Sequence, residues 1–355
     1  MLQSSPNLLT AQKTAPVLSV RHLTKHYSPR AGFGLGGKRP VIRAVDDVSF
    51  DLRRGETIGL VGESGCGKST VARTLLRLEE PTSGEALFHG KNIYSMNASE
   101  MKQLRRKMQV IFQDPYASIN PRLSVERIIS EPWKVHAGIV PKAQQADRVR
   151  DLLVSVGLRR EHAERYPHQF SGGQLQRIGI ARAMALEPEV LICDEPVSAL
   201  DLSIQAQVIN LLEDIQDRLE ISYIFIAHDL SVVRHMSDRV AVMYLGRMAE
   251  IGVERQVYEG PRHPYTKALL SAEPNLRFGA PPRQRILLKG EVPSPANPPS
   301  GCRFRTRCWK AQAICAEVTP ELSPQPNSSG VHLAACHFPE PAPANVIAAN
   351  ETAPN

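Results

Sequence analysis

The apolar run Thr57–Val61 ends on Gly62, and the turn that follows leaves few folds open to the chain. Gly62, Glu63, Ser64, Gly65, Cys66, Gly67, Lys68, Ser69 and Thr70 fit the spacing G-x-x-x-x-G-K-[ST]. A strand before the turn and an expected helix from about Lys68 supply the context in which this spacing cradles phosphates. The glycines let backbone N–H groups turn inward around phosphate oxygens, and the helix N-terminus adds a favourable dipole. Lys68 is placed to reach the β- and γ-phosphates, and Ser69 to put its hydroxyl on Mg²⁺. Cys66 reads as a plain loop position.

A second apolar run, Val190–Cys193, ends in Asp194 and Glu195. In a phosphate-loop protein the first acid holds Mg²⁺, and the second is a candidate general base for the attacking water. A third apolar strand, Ser222–Ala227, ends on His228, whose imidazole could hold a γ-phosphate and water in line. The run SGGQLQR, Ser171–Arg177, precedes an amphipathic helix expected to reach about Leu186. Ser171 suits an N-cap, and Gly172 and Gly173 expose backbone N–H groups, which makes a second anion site. One nucleotide in one subunit does not need it.

With these residues in place the chain resembles the ATP-binding cassette (ABC) family. Ser171, Gly172, Gly173 and Gln174 match its signature, and Gln113, in the run Val110–Pro115, resembles its Q-loop. Ser198–Asp201 resembles its D-loop, His228 its switch histidine, and Tyr27 falls where the family stacks an aromatic on adenine. The resemblance implies an α/β phosphate-loop NTPase: a RecA-like core, an antiparallel β subdomain and a helical subdomain at about 115–187, spanning 17–259. It further implies two cassettes meeting head to tail, with ATP on the phosphate loop of one and Ser171–Gly173 of the other over the γ-phosphate. Catalysis would fall to Lys68, Gln113, Glu195 and His228. Mg²⁺ would be held by Ser69, Gln113 and Asp194, and Asp201 would contribute to the nucleotide site. The segment after Gln113, through about Trp133, would touch a membrane partner.

Charge and cysteine usage bear on location. Lys and Arg total 43 against 36 Asp and Glu, a formal charge of +7. Lys13, Arg21, Lys25, Arg30, Lys38 and Arg39 lie in an N-terminal stretch without an acid, so nearly all the excess sits there. Such a patch suits nucleotide phosphates, an anionic membrane surface or plain solvation. No run of about 18 apolar residues occurs and no secretory signal is visible, so a cytoplasmic, peripheral protein is expected. Residues 1–16 read as a loose leader and 340–355 as a disordered tail. The 6 Cys then argue against structural disulfides.

Cys302, Cys308, Cys315 and Cys336 crowd the tail, where 14 of the 28 Pro lie after residue 273. No regular sheet is expected there, and a small module of this kind needs a staple. Four thiolates suit Zn²⁺ or a 4Fe–4S cluster, and the spacing decides neither. Arg303, Arg305, Arg307 and Lys310 are expected to surround the first two thiolates and offset their charge.

Gly260–Leu270 and Gly290–Cys302, with Asp194–Asp201 and His228–Val233, resemble the ATP-binding subunits of dipeptide/oligopeptide importers, most closely the type called F in the dipeptide system. That likeness runs from about residue 17 to 338 and makes 260–339 the importer-type extension. It implies a 4Fe–4S cluster on the four cysteines, a second ATPase subunit, two membrane permeases, an extracytoplasmic peptide-binding protein and no nucleic acid. It places the chain on the cytoplasmic face of a bacterial inner membrane. The same machine could carry nickel, glutathione or a peptide antibiotic. A soluble cassette acting on ribosomes or DNA is the reading from a different class.

Overall fold

The computed structural model describes residues 15–28, 40–272, 285–325 and 332–341. The expected leader, the Gly- and Pro-rich loop and the end of the tail lie almost wholly outside these, as do Lys13, Arg30, Lys38 and Arg39. The chain divides into two compact units. One is built mainly from Leu52–Thr57 and Ser95–Ala227, the other from Leu18–Asp51, Ile58–Tyr94 and the chain from His228 on.

In the first unit three parallel strands, Met108–Ile111, Val190–Asp194 and Ser222–Ile226, lie side by side. The last two are buried at every residue, as an apolar run without alternation requires when both faces are covered. Helices fill the stretch read as helical: Val125–Val135, Gln145–Ser155 and Gly172–Met184. Ile128, Ile129 and Trp133 are buried, and the Trp133 indole N–H donates to the Ala185 carbonyl at 2.8 Å. Each such side chain contributes about 1.5–3 kcal/mol by leaving water. Trp133 therefore belongs to the core. The exposed large apolar groups between 115 and 187 are Tyr116, Val135, Val154 and Tyr166.

The second unit holds an antiparallel sheet in the order Ile42–Arg53, Pro16–Tyr27, Ser83–Phe88, Lys91–Asn92. The first strand runs well past the expected Val17–Val20. A bulge between Arg21 and Thr24, with His22 at φ 50°, breaks the alternation that would have marked its second half. Arg21 pairs with Asp51 at 2.7 Å and Lys25 donates to the Glu80 carbonyl at 2.7 Å, so these two basic side chains are committed locally.

The same unit carries Thr57–Val61 parallel to Arg239–Tyr244, which pairs antiparallel with Arg247–Val253. Contrary to expectation, the Pro-rich tail adds to this sheet. Leu333–Ala334 pairs with Glu250 and Ile251, and Ser323–Pro324 pairs with Leu333–Ala334. Glu250 explains the register: fully buried, it accepts N–H bonds from Arg262 at 2.7 Å and His263 at 2.9 Å and meets His332 Nε2 at 2.6 Å. A buried carboxylate needs such partners, and the Leu333–Ala334 pairing brings His332 to it. Among the described residues no helix is long and apolar enough to cross a membrane.

Candidate nucleotide site and thiol cluster

The strand Thr57–Val61 is wholly buried and delivers Gly62 to the turn. Gly62 and Gly67 have φ of 152° and 109°. A Cβ on Gly62 would fall 2.2 Å from the Met243 carbonyl oxygen, and one on Gly67 would fall 2.1 Å from that of Ala44. Only glycine fits either place. Ser64 and Gly65 form the exposed tip, and Lys68, Ser69 and Thr70 open the helix Lys68–Leu75. Lys68 is 5% exposed, and its ammonium folds back to donate to the carbonyls of Gly62 at 2.8 Å and Glu63 at 3.3 Å. The ammonium is thus held by backbone carbonyls at the start of the turn. Cys66 is more than a loop filler: it is buried, and burial pushes its thiol up despite the nearby Lys68.

Tyr27 lies in the same unit. Its hydroxyl donates to Glu79, and Lys25 Nζ sits 4.9 Å from the ring centroid. Burial, then Glu79, raise the phenol pKa. His228 is exposed just before the helix Leu230–Met236.

In the first unit Asp194 closes its strand, 9% exposed. Glu195 follows at φ 49°, a left-handed conformation that costs a non-glycine residue about 1–2 kcal/mol. The Glu195 N–H donates to the Ile226 carbonyl at 2.9 Å, and the Glu195 carbonyl accepts from Ser198 Oγ at 3.1 Å. Gln113 Nε2 donates to Glu195 Oε2 at 2.7 Å. The fold thus brings Gln113 onto the candidate base. Strain held by this many bonds is typical of a working residue.

Ser171 is the N-cap of Gly172–Met184. Gln174 N–H donates to its hydroxyl at 3.4 Å, and Gln174 Oε1 accepts from the Ser171 N–H at 3.1 Å. Gly173 is required for packing as well, because a Cβ there would meet Ile204 Cγ2 at 2.3 Å. Asp201 is the N-cap of Leu202–Leu219. Gln205, not anticipated, pins the turn before it by donating to Val197 and Leu200 carbonyls at 3.0 Å.

Cys302, Cys308, Cys315 and Cys336 all line one small pocket. All are free thiols, and no group of three or more His, Cys, Asp or Glu among the described residues is drawn to metal-binding spacing. Burial raises Cys302 and Cys308 and pushes Cys336 up to about 11, with the neighbouring cysteines adding to each shift. The Lys310 N–H donates to Cys308 Sγ at 3.4 Å. Four soft donors at one pocket, one of them already accepting a backbone N–H, suit a thiolate-ligated group.

The expected ring of cations is only half present. Arg305 and Lys310 line the pocket. Arg303 instead binds Asp46 and the Leu245 carbonyl, and Arg307 binds Glu63 at 2.8 Å. Carboxylates are stronger partners for a desolvated guanidinium than protonated thiols are.

Two family models match this chain: ABC transporter over residues 45–198, and oligopeptide/dipeptide transporter, C-terminal region, over 249–315. The chain is 51% identical over 332 residues to the oligopeptide transport ATP-binding protein AppF of Bacillus subtilis, covering 93% of this chain and 99% of that one. It is 50% identical to the dipeptide transport ATP-binding protein DppF of Haemophilus influenzae, covering 92% and 98%. The chain belongs to the ATP-binding subunits of oligopeptide/dipeptide ABC transporters.

Solved structures agree on the cassette. The ATP-binding cassette MJ0796 in a dimeric, post-hydrolysis state with ADP and phosphate superposes with TM-score 0.59 at 26% identity, covering 67% of this chain and 99% of that one. cbiO1 of Clostridium perfringens gives 0.59 at 30%, covering 68% and 90%. A subunit of this family hydrolyses ATP to ADP and phosphate. The α/β cassette expected from the phosphate loop is therefore the fold observed.

Proposed function

We propose that this subunit drives uptake of di- or oligopeptides across a bacterial inner membrane. The observation that carries the reading is the joint match of cassette and oligopeptide/dipeptide C-terminal region within one chain. It works from the cytoplasmic face, bound to two permeases, alongside a second ATPase subunit, and supplied by an extracytoplasmic peptide-binding protein. Its parts are a leader at 1–16, the ATPase cassette at 17–259, the importer extension at 260–339 and a tail at 340–355.

Lys68 and the loop N–H groups of Gly62–Thr70 bind the ATP phosphates, and Tyr27 packs on adenine. Ser69, Gln113 and Asp194 would hold Mg²⁺, which would supply neutralisation of phosphate charge. Glu195 takes the proton of the attacking water, Gln113 orients it, and His228 holds the γ-phosphate side. The Ser171–Gln174 cap and Asp201 serve the nucleotide of the partner ATPase. The four tail cysteines hold a 4Fe–4S cluster, with Zn²⁺ the other occupant four thiolates accept; the bound group supplies a covalent-like staple for the Pro-rich tail.

Uptake of labelled di-, tri- and pentapeptides and of nickel, in cells expressing wild type or Glu195→Gln at matched levels, tests the transport reading. Peptide uptake alone should be lost. Loss of nickel uptake alone, or no loss of any, overturns it. For the cluster, Cys302→Ser should lower bound iron or zinc per chain at least about tenfold, the scale of removing one ligand. Full metal content in that variant would remove Cys302 from the ligand set.

A further inference from the structure

Glu63 is the second residue of the phosphate loop, a position the loop spacing leaves open to any side chain. Here the C-terminal extension grips it from two sides. Its backbone N–H donates to the Tyr265 hydroxyl at 2.9 Å, and its carboxylate accepts from Arg307 Nη1 at 2.8 Å. Its carbonyl in turn accepts from Lys68 Nζ at 3.3 Å and from the Cys66 N–H at 3.2 Å. One residue therefore links the extension to the ammonium meant for phosphate.

The grip is rigid because its anchors are buried. Tyr265 lies on the helix Pro264–Ala272, with its ring 4.6 Å from Tyr244 and 5.4 Å from Phe304. Phe304 belongs to the same cysteine-bearing turn as Arg307. Arg303, earlier in that turn, is tied to Asp46 and to the Leu245 carbonyl. The Arg307 side chain is only 9% exposed. Burial works against its charge, yet the bond to Glu63, with Tyr244 nearby, holds its pKa above the ordinary value. Such an ion pair is more than a surface contact.

We propose that Tyr265 and Arg307 are positioning residues for ATP binding: acting through Glu63, they hold the phosphate loop and Lys68 in the shape that receives the phosphates. They touch no reacting atom. Without them the loop samples conformations in which its N–H groups diverge, and ATP must select the competent fraction. The effect should fall on affinity more than on the chemical step.

The proposal rests on the phosphate-loop reading, so Lys68→Ala is measured beside it. In the purified full-length chain, Arg307→Met should weaken MgATP binding about tenfold, the scale of losing one charge-assisted hydrogen bond. In the assembled transporter it should raise the KM for ATP and leave kcat within about twofold. Arg307→Lys should recover most of the affinity. In a Glu63→Gln background Arg307→Met should add little, since both act through one contact. Unchanged affinity in Arg307→Met, or an undiminished effect in the Glu63→Gln background, overturns the proposal. Intact binding in Lys68→Ala would instead overturn the loop reading. Should Arg307→Met fail to fold, Tyr265→Phe removes only the hydroxyl that receives the Glu63 N–H. A several-fold loss is expected there, and unchanged affinity overturns the proposal equally.

Discussion

Glu195→Gln will leave MgATP bound to the subunit and reduce its hydrolysis by about a hundredfold or more, the range over which a general base acts. The geometry says why binding should survive. Gln is nearly isosteric with Glu and keeps an oxygen to accept the Gln113 amide N–H, now at 2.7 Å from Oε2. The backbone bond from Glu195 N–H to Ile226 is untouched by the change. What is lost is the carboxylate that takes a proton from water. Trapped nucleotide and a persistent closed dimer on gel filtration with MgATP are the expected accompaniments. Turnover within about twofold of wild type would remove Glu195 from the base role.

Lys68→Ala has the larger effect on binding. ATP affinity should fall about 10²–10³-fold, the scale of losing two charge-assisted bonds from one ammonium. The ammonium is already desolvated and directed into the loop, where it satisfies the Gly62 and Glu63 carbonyls. When phosphate arrives it exchanges carbonyl partners for phosphate oxygens without being taken out of water again. Arginine should not restore affinity, because its planar fork does not fit a space shaped around one point charge. Equilibrium titration with a fluorescent ATP analogue, with the thermal midpoint as a folding control, measures this. Retained affinity would exclude Lys68 from phosphate binding.

Much of the backbone shape of the candidate site was legible before folding because it is local. A glycine that must adopt φ 109°, and an apolar strand that ends in acids, leave their mark within a few residues. Ser171 capping its helix and Asp194 closing its strand are of the same kind. The readings that changed all depended on what lay opposite a side chain. Trp133 was only the end of a segment by sequence and is a core residue bonded to Ala185 by packing. Cys66 was a loop position by spacing and is a buried thiol by packing. Arg303 and Arg307 were expected on the thiolates because they neighbour them in sequence. Folding offered each a carboxylate instead.

The motifs alone marked this chain, through their resemblance to a known family, as an ATP-binding cassette with an importer-type tail. Phosphate loop, signature and acidic strand end each encode a backbone shape in consecutive residues, and such shapes survive without knowledge of the rest. Only the tertiary structure decided that the tail completes the edge of a sheet, gathers four thiols at one pocket and reaches back to Glu63. Arg307 and Glu63 are 244 residues apart in the chain. A pairing of that separation has no local signal, because its partner is chosen by which charge remains undersatisfied when the core closes.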